Sequence, residues 1–290
     1  MQSADIFRLG MMRHLASVSS FSDSWSDWLP TINRELTATP TPQHIFDLGE
    51  KLHDIFRSRS VIGRDNSAVS TGGTAWEALV CWYLNLVLYG SDVVAIRPHA
   101  NFTPQVLKDA LSVNISNNST NTESDLIVFS IPNASTTTPL NLGVVDNLIR
   151  AHTALTDVAV VQCKTNWNDN SQIPMLWDLI YNSQTFRVPN VSVGRGGVSP
   201  ASFRKFVYSF MTVPTSRGPY TPTNLAVLRV RGLTGGNYWG KPTVSGVARS
   251  VSEFFTTNFA THLSGTVQQH IKNNLMSDPA ILKRFLDLDF

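Results

Sequence analysis

Two runs constrain this chain more than anything else in it: Asp125-Leu126-Ile127-Val128-Phe129-Ser130-Ile131 and Asp157-Val158-Ala159-Val160-Val161-Gln162-Cys163-Lys164. Both are rich in β-branched residues, and neither alternates apolar with polar. A strand wetted on one face alternates; a strand that stays apolar along its length is covered on both faces. The chain must therefore build a sheet with a layer on each side. Shorter β-rich runs at 92–96, 190–193, 206–213 and 225–230 are predicted to join it.

The covering layers are helical. Thr41-Pro42 joins a cap residue to a proline at the first helical position, and Ile45, Leu48, Leu52, Ile55 and Phe56 then recur at helical spacing. Thr71-Gly72-Gly73-Thr74 predicts a break before a buried helix over 75–88, with Glu77 in its first turn. Further helices are predicted from Thr103-Pro104 through 111, at 144–155, at 174–186 and over much of 252–288, where Ser277 would cap a last helix with Pro279 just inside it. The polar stretch 114–124 reads as a surface loop. The predicted fold is α/β (α+β), a central mixed β-sheet flanked by helices. It forms one domain over 1–290, with helical parts at 1–70 and 250–290 around a core at 71–245.

Composition removes several function classes. Among 290 residues, 23 Lys and Arg against 21 Asp and Glu exclude a polybasic tail protein, though not a folded basic cleft. Two cysteines, Cys81 and Cys163, both in apolar runs, exclude a disulfide scaffold and a thiolate zinc site. The N-terminus shows no signal-peptide pattern, and the longest apolar stretch, 78–89, is too short to span a bilayer. A cytoplasmic protein without a membrane partner is expected. No phosphate-binding glycine motif occurs, so no nucleotide cofactor is expected, and no metalloprotease or serine-hydrolase signature is present.

Three pieces carry chemistry together: Glu77 on the buried helix, Asp125 opening one apolar strand, and Gln162-Cys163-Lys164 closing another. Residues i and i+2 of a strand share a face, so Gln162 and Lys164 point one way and Cys163 the other. A carboxylate beside a strand-end lysine suits metal-assisted phosphodiester hydrolysis, the lysine countering charge that develops on the phosphate. Mg2+ takes hard oxygen donors, which Asp125, the Gln162 amide and the Cys163 carbonyl could supply. Taken singly, each residue has a plainer role. Glu77 would favour a helix N-terminus, Asp125 would be a strand-edge acid, and Lys164 a solvated strand-end charge.

The order helix–Glu, strand–Asp, strand–Gln-x-Lys over residues 72–186 resembles the PD-(D/E)XK nuclease superfamily. In length and single-body organisation the chain resembles a type II restriction endonuclease. The resemblance implies Glu77, Asp125, Gln162 and Lys164 as catalytic residues and a Mg2+ cofactor, with Mn2+ as a substitute. It further implies double-stranded DNA as substrate, 5′-phosphate products and a homodimer in a prokaryotic cytoplasm. Gln162 stands where the family pattern has an acid, Ser124 where it often has proline, and Asp146 is an alternative metal aspartate. DNA contacts are expected from the amide-rich stretch after Lys164 (Asn166, Asn168, Asn170) and from Arg195, Arg229, Arg231, Asn237, Tyr238 and Lys241, with Arg204, Lys205 and Arg217 nearby. Arg229 and Arg231 alternate with Val230 and would share a strand face. Rival readings are a structure-specific, repair or defence nuclease of the same fold, a catalytically inactive DNA-binding protein, and a polar assembly protein.

Overall fold

The computed structural model describes residues 3–58, 66–116, 118–121, 124–134, 140–165, 191–212, 221–240 and 250–288. The predicted helix at 174–186, the amides Asn166, Asn168 and Asn170, and the basic residues Arg217 and Lys241 lie outside the described residues. Three helices open the chain: α1 (Ser3–Ala16), α2 (Ser19–Leu36) and α3 (Pro42–Arg57). Thr41 caps α3 as its sequence predicts, its hydroxyl accepting from the His44 N–H at 3.2 Å. A long helix, α4 (Asn66–Val87), follows and leads into β1 (Val93–Ile96).

The expected break at Gly72-Gly73 does not occur: α4 runs through both glycines. Each costs a helix about 1 kcal/mol relative to alanine. The downstream run from Ala75 to Val87, buried almost throughout, holds the helix together across them. Glu77 is therefore a mid-helix residue, and the helix-dipole explanation for it falls away.

After β1 come α5 (Gln105–Ala110), β2 (Ser112–Ile115), β3 (Asn118–Asn121), β4 (Leu126–Ser130), α6 (Leu142–Ala151), β5 (Asp157–Lys164), β6 (Val191–Val193) and β7 (Lys205–Thr212). The remainder is α7 (Leu225–Leu233), β8 (Tyr238–Gly240), α8 (Glu253–Phe259), α9 (Val267–Ser277) and α10 (Ile281–Leu286). The main sheet is mixed, in the order β1-β4-β5-β7-β8. β4 is antiparallel to both β1 and β5, while β5, β7 and β8 run parallel. A small antiparallel sheet has the order β3-β2-β6.

Three local expectations are corrected. The polar stretch 114–124 contributes the β2–β3 hairpin, with Ser116 at φ 56° in its turn. The run 225–230 is helix, because Val227 and Val230, three apart, are the residues it buries against Phe210 and Tyr238. Ser277 ends α9 instead of capping the last helix, its hydroxyl donating back to the Asn274 carbonyl at 3.2 Å.

Helix α4 lies against β1 and β5. Asn85, fully buried within it, acts as a surrogate strand. Its Nδ2 donates to the Ala95 carbonyl at 2.7 Å and its Oδ1 accepts from the Ala95 N–H at 3.1 Å, so the outer edge of β1 is partly closed. Buried Arg8 pairs with Asp5 and donates to the carbonyls of Ser91 (3.1 Å) and Val93 (2.6 Å), which fixes α1 on the α4–β1 corner. Trp82 Nε1 donates to the Phe285 carbonyl at 2.8 Å and docks α10 on α4. No helix among the described residues is long and apolar enough to cross a membrane.

Candidate active site

The register of the sheet assembles the site. Leu126 is opposite Val161, which sets Asp125, one residue ahead of β4, beside the last residues of β5. The Asp125 Oδ2 accepts from Gln162 Nε2 at 2.5 Å and from the Cys163 N–H at 2.7 Å, and Lys164 Nζ stands 3.6 Å away. Three donors thus converge on one carboxylate oxygen. Gln162 is 1% exposed. Its remaining polar atom, Oε1, accepts from the Tyr208 hydroxyl of β7 at 3.3 Å. That contact follows from the parallel pairing of Val160 with Tyr208, which puts Tyr208 on the Gln162 face.

Glu77 approaches from α4. Its Oε2 pairs with Arg97, the residue closing β1, at 3.1 Å. Burial, reinforced by the charge of Asp125, pushes the Glu77 carboxyl up to about 7 against the opposing pull of Arg97 and Lys164. Each carboxylate has a cation beside it, Arg97 for Glu77 and Lys164 for Asp125, but at Glu77 burial outweighs them. Cys163 lies on the opposite face of β5. Burial first, then Asp125 and Glu77, push its thiol well above the ordinary value, so it has no nucleophilic role. Burial and the Asp125 charge likewise raise the Tyr208 phenol, which stays a neutral donor at physiological pH.

Two buried polar atoms at this end of the sheet have no hydrogen-bond partner among the described residues, Arg97 Nε and Thr212 Oγ1. Thr212 pairs in register with Lys164.

Among the described residues no three His, Cys, Asp or Glu side chains converge as a metal-ligand group. The oxygen donors at hand are the Asp125 carboxylate, the neighbouring Glu77 carboxylate and the main-chain carbonyl of Cys163, whose N–H already faces Asp125. Hard oxygen donors of this kind suit a divalent cation. Gln162 faces Asp125 with its nitrogen, so a ligand role for its oxygen would require the amide to turn. Asp146, the alternative aspartate, is engaged elsewhere: it accepts from the Val106 N–H of α5 at 2.6 Å and pairs with Arg150 at 3.6 Å.

The expected DNA contacts scatter. Arg195 pairs with Asp109 at 2.7 Å, and the glycines around it, Gly194, Gly196 and Gly197 at φ 91°, 60° and 78°, serve a tight turn closed by the Arg195–Val198 bridge. Asn237 exchanges amide hydrogen bonds with Asn258 at 3.0 and 3.2 Å. Tyr238 is 1% exposed and belongs to the interior, so it offers no surface to a ligand. Arg229 and Arg231 are exposed, on helix α7 and not on a strand.

Arg204 and Asp157 belong to a second charged cluster, at the opposite end of β5. Arg204 forms a fork to Asp157, with both hydrogen bonds at 2.8 Å. His262 joins Asp157 (3.0 Å) to Asp92 (2.8 Å). Sequence reasoning missed this cluster because its four members lie far apart in the chain. It also missed Arg97 and Tyr208, whose only sequence signal is a polar residue closing or lining a strand. Comparison with protein-family models gives no match for this chain, and comparison with curated proteins gives none.

Proposed function

We propose that this chain is a divalent-metal-dependent endonuclease of the PD-(D/E)XK kind, cutting double-stranded DNA at specific sites as type II restriction enzymes do. The observation that supports this most is the convergence of Gln162, the Cys163 N–H and Lys164 on Asp125 at adjoining strand ends, with Glu77 delivered beside them from a buried helix. It reproduces the order helix–Glu, strand–Asp, strand–Gln-x-Lys.

Asp125, with the Cys163 carbonyl and Glu77, would hold Mg2+ or Mn2+. The ion would polarise the phosphate and lower the pKa of the attacking water. Lys164 Nζ places a fixed positive charge where the phosphorane develops and orients the water. Gln162 holds Asp125 in place and is itself held by Tyr208. A two-fold dimer would set one such site on each strand of a palindromic target.

A second reading has one observation in its favour. An amide at position 162, donating to Asp125, gives a cation one fewer anionic ligand than an acid would, which suits a DNA-binding protein without activity. Digestion of a long, sequenced, unmethylated DNA in Mg2+ decides between them. The nuclease reading expects discrete fragments with 5′-phosphate ends from the wild type and none from Lys164→Ala. Fragments without discrete ends would point to a structure-specific nuclease of the same fold. DNA bound but intact in both Mg2+ and Mn2+ would establish the inactive reading.

A further inference from the structure

Charge is balanced over the whole chain but not along it. Between residues 179 and 252 there is no Asp or Glu, while nine of the 23 Lys and Arg fall in that stretch. The rest of the molecule keeps fourteen basic residues against all 21 acids, so it is net acidic. Basic residues gathered on one face are the electrostatic footprint of polyanion binding.

Most of the described cations in this stretch are already engaged. Arg195 is held by Asp109, Arg204 by Asp157, and Lys205 by the carbonyls of Thr257 (3.0 Å) and Asn258 (3.2 Å). Arg229 and Arg231 differ: both are exposed on α7, and neither has an ion-pair partner among the described residues. Successive helical positions are about 100° apart, so the two leave α7 on opposite flanks of the Val227–Val230 strip that anchors it. Leu225 and Leu228 add apolar surface to the outer face, 62% and 44% exposed.

The location of α7 gives this face a purpose. It packs on Phe210 and Tyr238. Phe210 is the register partner of Gln162, so α7 lies on the sheet face that carries Gln162 and Lys164, one strand away from them.

We propose that the outward face of α7 holds the backbone of the duplex presented to Asp125 and Lys164, with Arg229 and Arg231 as its phosphate contacts. This deepens the nuclease reading and rests on it. The two arginines favour a polyanion over a second copy of this chain, which would meet Arg229 and Arg231 with the same two arginines across a two-fold axis.

The test is equilibrium binding of a short labelled duplex to the full-length protein, with EDTA present so that cleavage plays no part, across a salt series. Arg229→Gln/Arg231→Gln is compared with the wild type and with Lys272→Gln/Lys283→Gln, which removes the same charge from exposed positions on α9 and α10. The double arginine variant is expected to lower the slope of log affinity against log salt by about 2 and to weaken binding about tenfold or more at moderate salt. The lysine control should keep the wild-type slope. An unchanged slope in the arginine variant, or an equal fall in the control, overturns the assignment of α7 and leaves the nuclease reading standing. Loss of self-association with an unchanged slope overturns it in favour of a second copy as occupant. A wild type that binds no duplex at any salt overturns the assignment of α7, and the digestion in Mg2+ then decides the nuclease reading separately.

Discussion

Strand β5 begins in one charged cluster and ends in another, and the two are built differently. At its start, the Asp157 carboxylate receives a two-point fork from Arg204 and a bond from His262, which also reaches Asp92. Burial raises Asp157, but the hydrogen bonds from Arg204 and His262 outweigh it and leave the carboxyl below its ordinary value. Burial lowers His262, but Asp92 and Asp157 outweigh it and leave the imidazole above its ordinary value. There the opposite charges outweigh burial at both Asp157 and His262. At the far end, Lys164 stands beside Asp125 and Arg97 beside Glu77, yet burial and the Asp125 charge push Glu77 up to about 7. A satisfied cluster fixes structure, whereas a frustrated one is a candidate for chemistry.

This contrast is open to direct attack by substitution. Beyond the metal-site aspartate itself, the largest effect belongs to Lys164→Ala: cleavage should fall by about 10³-fold or more, as when a charge-stabilising donor is removed, with thermal stability close to wild type. Kinetics and a melting curve on the same preparation check both halves. Next is Asp157→Ala, which strands Arg204 and His262 and should cost about 3 kcal/mol or more in chemical denaturation while leaving the folded fraction competent. That loss has a pH signature. The His262 contribution is complete below the unfolded imidazole value of about 6.5 and disappears as pH rises through its higher folded value. The Asp157 contribution is present above about 4 and disappears as pH falls through its lower folded value. The wild-type advantage over the variant should therefore peak between about 4 and 6.5.

Glu77→Gln has the opposite sign. A carboxyl raised from 4.5 to about 7 penalises the fold only once it ionises. The penalty is absent below about pH 4.5, grows as pH rises and is complete above about 7. The variant should gain about 1–3 kcal/mol at pH 8 and nothing at pH 4, with cleavage reduced. An equal shift at both pH values would contradict the frustrated arrangement. Tyr208→Phe is the mildest: loss of one hydrogen bond to Gln162 should slow cleavage by about three- to tenfold, as expected for about 1 kcal/mol.

The sequence made part of this contrast legible. Strand β5 runs from Asp157 to Lys164 as its unbroken apolar pattern predicts, and the strand-end positions of Asp125 and Lys164 follow from composition and periodicity alone. What escaped depends on long-range pairing. Tyr208 reaches Gln162 only because β7 runs parallel to β5 in a particular register, and no local pattern encodes that register. Arg97 reads as a strand stop until α4 brings Glu77 above it. Helix α4 crosses Gly72 and Gly73 because burial further along outweighs local propensity. In α7, the spacing of Val227 and Val230 was the informative signal, and the arginines on either side of Val230 obscured it.

The most direct measurement places one conservative substitution at each end of β5, Asp125→Asn and Asp157→Asn, and records cleavage rate and melting temperature for both. The account predicts that Asp125→Asn abolishes cleavage with an unchanged or raised melting temperature. It predicts that Asp157→Asn lowers the melting temperature by several degrees or more and keeps cleavage in the folded protein. Cleavage retained by Asp125→Asn, or lost from fully folded Asp157→Asn, would contradict it.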